Sequence, residues 1–276
     1  MRQLILGTGL GYEKEIPIAE QIVRIKNAGW DGIFTEWDEH RGIKEYARIA
    51  KENDLVYGSV HAPFDKVDQL WEKDGAGDAE TERLARCIRE TAEIGVGIVV
   101  MHAIIGFDKY RPTNIGVSRF YKLVQTAEEY GVKIAFENTE GSVYLDTLLE
   151  AFSDYESVGF CIDTGHEMCY NYGHDLIGKY CNQLIATHLN DNMKVTGRTI
   201  TWLDDAHMLP FDGRANWHDI AARLKLVGYE GPFTFEVTSK SKPHRATHDR
   251  YSTLNFDEFV SLALRKAKKF ASMMDD

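Results

Sequence analysis

Glu137, Asp163, His188 and Glu236 are the side chains best placed in this sequence to do chemistry. Each closes or sits within a short apolar run: residues 133–137, 159–163, 184–188 and 233–237. Such runs read as buried strands, and the carboxyl end of a strand is where α/β proteins keep their functional groups. Three carboxylates and one imidazole make a mostly oxygen donor set, which suits Mn2+, Mg2+ or Co2+ and admits Zn2+. Carboxylates brought this near to one another repel strongly without a cation. A divalent ion flanked by carboxylates suits reactions next to a carbonyl, because it can hold carbonyl and hydroxyl oxygens and stabilise an enediolate. One carboxylate can then remove a carbon-bound proton while another returns it, and Glu137 and Glu236 are the candidates. Taken singly, each of the four is equally readable as a cap or a salt-bridge partner, Asp163 above all, since Thr164-Gly165 breaks the strand and a helix can start there.

Those four side chains meet only if the rest of the chain brings their strands together. Eight short apolar runs follow one another, at 3–6, 32–35, 56–61, 97–102, 133–137, 159–163, 184–188 and 233–237. Between them lie segments with apolar residues at helical spacing, at 18–28, 42–53, 81–94, 117–130 and 217–227, with a last helix at 255–271. Gly29, Gly95, Gly131 and Gly228 punctuate the helix ends. Alternation of this kind without a Pro/Gly-rich linker predicts one domain over residues 1–276, a closed (β/α)8 TIM barrel. The long connections at 64–77, 190–217 and 239–255 all follow strands and would crowd the catalytic face. Other strand ends are rich in the same residue types: His61, His102 and His166, the last three residues beyond Asp163. Trp37, Phe64, Trp71, Phe107 and Trp202 lie in post-strand segments and could wall a substrate pocket.

Composition narrows the classes of partner. With 43% hydrophobic and 27% charged residues in a 276-residue chain, the balance is that of an ordinary globule without an apolar stretch long enough for a membrane span. The first residues run straight into a strand pattern too short for a signal-peptide core, which predicts a cytoplasmic protein. Cys87, Cys161, Cys169 and Cys181 have no zinc-ribbon or redox-pair spacing and read as reduced. A formal net charge of -11 disfavours nucleic acid and leaves a small molecule as the expected partner. Exposed helical faces are compatible with a homodimer or homotetramer.

Five stretches together resemble a known superfamily: FEN around Glu137, CIDTGH through His166, HLND from His188, DAHMLPFDG from Asp205 and GYEGPFTFEV through Glu236. The set is similar to the xylose-isomerase-like sugar isomerases and epimerases, and the likeness spans nearly the whole chain. It implies that Glu137, Asp163, His188 and Glu236 hold one divalent metal, often manganese, and that the two glutamates transfer the proton. It also implies that His166 either supports the metal ligands or contacts the substrate; His61, His102, Asp205 and His207 are further candidates for substrate binding. The chain departs from the family in places. Phe211 stands where a Pro-Gly-x-Gly stretch has its first glycine, and Arg198 lies too far along to match the arginine of ketohexose 3-epimerases, which counts against a tagatose- or psicose-type enzyme. Asp205-Ala206-His207 looks closer to inosose-isomerase-type members.

The same residues leave other reactions open. Related barrels use an enolate to eliminate water or another substituent, which makes a lyase or dehydratase on a keto-sugar or keto-cyclitol the alternative. A second relative of the scaffold, the three-zinc abasic-site nuclease endonuclease IV, uses positions resembling His61, His102, Glu137, Asp163, His166, His188, Asp205, His207 and Glu236, all of which are present. A barrel that binds without turnover is the remaining class. Two further features stay unassigned. Lys240, Lys242, His244, Arg245, His248 and Arg250 follow the eighth run and could bind a phosphate or carboxylate, or simply face solvent. Gly7-Thr8-Gly9-Leu10-Gly11 has neither dinucleotide nor P-loop spacing and reads as a turn.

Overall fold

Each of the eight apolar runs forms a strand, because β-branched and aromatic side chains buried on both faces leave the backbone to pair with its neighbours. The computed structural model describes residues 2–37, 39–40, 42–107, 111–194 and 199–274. The strands are β1 Leu4–Gly7, β2 Gly32–Glu36, β3 Val56–His61, β4 Ile98–His102, β5 Lys133–Glu137, β6 Val158–Asp163, β7 Leu184–His188 and β8 Phe233–Phe235. All neighbours pair in parallel, in the order β7-β6-β5-β4-β3-β2-β1-β8. A parallel bridge between Leu189 and Phe235 joins the two ends, with Leu189 N–H donating to the Thr234 carbonyl at 2.7 Å. The result is a (β/α)8 TIM barrel.

Nine α-helices occur among the described residues: α1 Ile18–Ala28, α2 Ile43–Glu52, α3 Gly75–Glu93, α4 Asn114–Tyr130, α5 Ser142–Ala151, α6 Thr164–Cys169, α7 Leu176–Lys179, α8 Trp217–Leu226 and α9 Phe256–Ser272. Side-chain caps carry α3 and α4 further toward their N-termini than the apolar spacing indicates. Asp74 accepts from the Ala76 amide and Thr113 from the Gly116 amide, so polar first turns are held without apolar residues. The sequence reading lacks α5 and α7, although Tyr144, Leu145, Leu148 and Leu149 of α5 do fall on one buried face, while α7 is a single turn. No helix among the described residues is long and apolar enough to cross a membrane.

The large core lies between the barrel and its helices and holds Phe120, Phe136, Phe160, Phe233 and Phe270. A second, small cluster of Val100, Ala135, Cys161 and Ala186 fills the barrel itself. These four stand two residues before His102, Glu137, Asp163 and His188, so the period of two puts both sets on the inward face. Small side chains thus floor the layer on which the polar groups sit. Two sequence expectations are corrected here. Trp37 is 1% exposed and donates its indole N–H to Glu90 on α3 at 2.6 Å. Trp71, 4% exposed, donates to the Ala103 carbonyl and packs against Phe120 and Tyr144. Indoles this large contribute most when fully buried, and neither walls the mouth.

Candidate metal centre at the mouth of the barrel

The register places Asp163 opposite His188, so β6 and β7 end level, and Glu137 opposite Cys161, one inward-facing step before Asp163. Glu236 follows β8 directly. One donor atom from each of Glu137, Asp163, His188 and Glu236 lies within 4.8 Å of all the others. His188 is the pivot: its Nδ1 is 2.8 Å from Glu137 Oε1 and 3.1 Å from Glu236 Oε2. Phe34 of β2 stacks on the His188 ring, centroids 4.8 Å apart, and fixes its plane.

Four more imidazoles extend the cluster, His61, His102, His166 and His207. Glu137 Oε2 lies 3.2 Å from His61 Nε2 and 3.1 Å from His102 Nε2. Phe64 stacks on His102, centroids 4.5 Å apart, and is 37% exposed. His166 points the opposite way, with Nδ1 2.9 Å from the Asn138 carbonyl and Nε2 3.4 Å from Asp205 Oδ2. His207, held in a left-handed conformation at φ 49°, places Nε2 2.9 Å from the same Asp205 oxygen. Further subsets within metal-bridging distance are His61, His102 and Glu137, and Asp163, His166 and His207. Of the outer aromatics, Phe107 packs on Tyr170, which in turn lies 4.9 Å from the His166 ring, while Trp202 is 55% exposed. Arg198 lies outside the described residues.

Asp163 both caps and faces the cluster. Oδ1 accepts from the His166 amide at 2.6 Å, starting α6 at Thr164, while Oδ2 accepts from Asn190 Nδ2 at 2.6 Å. Asn138 imitates a strand neighbour: its Oδ1 accepts from the Asp163 amide and its Nδ2 donates to the Asp163 carbonyl. Asn192 Oδ1 accepts from the Ala206 amide and so secures the strap that carries Asp205 and His207. Asp191 is structural, accepting from the Trp217 indole at 2.9 Å. Sequence reasoning missed Asn138, Asn190 and Asn192; the one signal is that Asn138 and Asn190 stand within the quoted FEN and HLND motifs and Asn192 directly after the second.

Charges this dense set one another's protonation. Burial alone would favour neutral Glu236, but the nearby His188 and His207 outweigh it and hold the carboxyl at about 2. Glu137 is likewise lowered against its burial, by His188, His102 and His61. Burial dominates at Asp163 and lifts it to about 6. Burial opposes a charged imidazole, yet Glu236 and Glu137 raise His188 well above its ordinary value, and Asp205 and Glu236 raise His207 to about 9. His102 goes the other way, because burial there outweighs Glu137. Protons on His188 and His207 therefore stand where positive charge is needed. The donor set fits a divalent cation, which would supply that charge to three convergent carboxylates.

A family described as xylose isomerase-like TIM barrel matches residues 22–254. The chain belongs to that family. Among curated relatives, the uncharacterised protein y4fM of Sinorhizobium fredii (strain NBRC 101917 / NGR234) is 30% identical over 205 residues, 67% of this chain and 63% of that protein. The chain thus spans less than two thirds of that relative. Among solved structures, a D-tagatose 3-epimerase-like protein superimposes with a TM-score of 0.73 at 19% identity, covering 100% of this chain and 98% of that one. The 3-keto-D-glucoside 4-epimerase YcjR from E. coli gives 0.72 at 15% identity, covering 98% and 100%. At these identities the likeness is one of fold.

Proposed function

We propose that the chain is a divalent-metal-dependent sugar or cyclitol isomerase or epimerase that moves a proton next to a carbonyl. The observation that carries this reading is the bracketing of His188 Nδ1 by Glu137 and Glu236 within one four-residue donor set. Glu137, Asp163, His188 and Glu236 are the proposed ligands, with Mn2+ the expected ion. Bound there, such an ion supplies electrophilic polarisation of adjacent carbonyl and hydroxyl oxygens.

The protein's own groups do the rest. Glu236 is the ligand that reaches the open cavity, in company with Phe34 and His207, and is the proposed group that takes the proton from carbon. Glu137 lies beneath, fully buried among His61, His102 and His188, and is the proposed group that returns it. His166, His207 and Asp205 form a second polar edge that can orient substrate hydroxyls, and Phe64 offers an apolar face to the ring. The fold neighbours that act on sugars by epimerisation support the same reading.

The test is incubation of the metal-loaded protein in D2O with keto sugars, sugar phosphates and inososes. Deuterium next to the carbonyl is expected, and absence of exchange across the panel with metal demonstrably bound would overturn the proposal. The product separates isomerisation from a lyase outcome on the same site. One observation favours a second reading, the abasic-site nuclease: eight of the nine residues of the three-zinc pattern fall into overlapping donor groups, and the ninth, Asp205, lies 3.4 Å from His166 Nε2. Three metals per chain together with nicking of abasic plasmid would select it; one metal and no nicking would remove it.

A further inference from the structure

The basic residues that follow β8 are sorted by their partners. Arg245 donates to Asp204 at 3.1 Å and Arg250 pairs with Asp212 at 2.7 Å. His248 is buried against Thr247, and burial pushes it down to about 4, so it is neutral. His244 faces solvent. Lys240 and Lys242 remain, and both line a cavity of about 350 Å3 whose inner wall includes Glu236 and His207. Lys242 Nζ stands 3.8 Å from Asp205 Oδ2, too long for a hydrogen bond, and 5.7 Å from the Trp202 ring. Lys240 Nζ lies 5.2 Å from the Tyr12 ring centre. Each ammonium has three donors and spends none of them on a hydrogen bond within the described residues.

The glycine-rich turn after β1 forms the facing wall, through Gly7, Thr8, Leu10 and Gly11. A Cβ on Gly11 would stand 2.5 Å from Lys240 Cγ, so the missing side chain lets the lysine stem lie against the turn. The turn's amides are committed elsewhere, Thr8 to the Phe34 carbonyl, Gly9 to Gln21 and Gly11 to Glu13. It therefore shapes the cavity chiefly through its backbone path, with these three amides engaged within the protein. Glu13 and Glu36 also line this side and can accept from sugar hydroxyls. The ammonium groups thus come from the segment after β8, Glu13 and Glu36 from the β1 and β2 side, and Glu236 from the inner wall.

We propose that Lys240 and Lys242 form a subsite for an anionic group, phosphate or carboxylate, carried by the sugar whose reacting carbons lie at Glu236. This deepens the isomerase or epimerase reading and rests on it. The cavity's size suits one monosaccharide with one substituent, and loops after strands seven and eight are a recurrent phosphate position in this fold.

Two measurements test it on the metal-loaded protein. The first compares deuterium incorporation into matched neutral, phosphorylated and carboxylated keto sugars for wild type and the double variant Lys240→Met/Lys242→Met. Two charge-assisted contacts should favour the charged sugar roughly 10- to 100-fold in kcat/KM through KM, and in the double variant that ratio should fall to about one. Which anionic sugar is preferred identifies the group. Equal handling of charged and neutral sugars by wild type, or an unchanged ratio in the double variant, overturns the subsite while leaving the sugar reading in place. The second is calorimetric titration with inorganic phosphate, expected to be at least about tenfold weaker in the double variant. If that loss appears but no sugar exchanges, the subsite stands and the isomerase reading falls; phosphate binding that ignores the lysines counts against the subsite.

Discussion

At the scale of single residues, the candidate centre is a problem of where protons reside. His188 holds a proton in the metal-free chain because Glu236 and Glu137 outweigh its burial, and Asp163 reaches about 6 because its burial outweighs His166 and His207. A metal can bind there only by displacing protons, since carboxylate and imidazole ligands must be deprotonated. The sign follows directly. Below about pH 6 Asp163 is protonated, and each further unit costs roughly tenfold in affinity from that group alone; at pH 7 His188 still has a proton to release. Calorimetry at pH 7 in two buffers of unlike ionisation enthalpy should therefore show at least about one proton released per Mn2+, with affinity falling more steeply under pH 6. Affinity that ignores pH between 5 and 7 would take both residues out of the ligand set. Glu236→Gln keeps the side chain's shape and removes its basicity. Deuterium exchange should drop about 10²- to 10⁴-fold with an unchanged circular dichroism spectrum, and wild-type exchange would end the proton-transfer role.

At the scale of elements, the ligands are aimed by neutral side chains that bridge strand ends. Gly165 opens α6 directly against Asn190, whose Nδ2 holds Asp163, and a Cβ there would run into Asn190 Oδ1. Gly165→Ala should move Asn190 and free Asp163, lowering metal affinity about tenfold or more by loss of one supporting hydrogen bond, while the protein stays folded. Metal content unchanged at equilibrium dialysis would show that Asn190 does not position Asp163. Across the mouth, Arg119 of α4 is 3% exposed and donates to the carbonyls of Leu70, Glu72 and Asp74, fixing the connection from β3 to α3. Arg119→Met leaves those acceptors unpaired and should cost about 3 kcal/mol or more, read as a lowered urea midpoint. The strands and their terminal acids and histidines were legible in the sequence because apolar runs ending in such residues have few other readings. The supporting layer was not. Asn138, Asn190 and Arg119 carry no periodicity, and their roles exist only once β5, β6, β7 and α4 lie side by side. The misplaced Trp37 and Trp71 fail for the same reason, as a post-strand position does not say which way an indole turns.

At the scale of the whole molecule, the barrel has a seam, and the candidate centre lies across it. β7 and β8 join through the Leu189–Phe235 bridge, with the Thr187 hydroxyl filling in as donor to the Pro232 carbonyl and acceptor from the Thr234 amide. Every other strand neighbour has a ladder of two or more paired residues. His188 ends β7 and Glu236 follows β8, so a metal held by both would tie the seam where the backbone pairs least. A ligand present at 1,000 times its dissociation constant stabilises the folded state by about 4.1 kcal/mol. In a chain of this length roughly 2–3 °C per kcal/mol is expected, so chelation should lower Tm by on the order of 10 °C. The location of the change tests the seam itself. Hydrogen exchange on metal removal should accelerate first at Leu189 and Thr234, while amides in β1, β2 and β3 keep their protection. Acceleration spread evenly over all eight strands would mean that the ion, if bound, stabilises the barrel without closing it, and no change in either measurement would mean that the four ligands hold no ion at all.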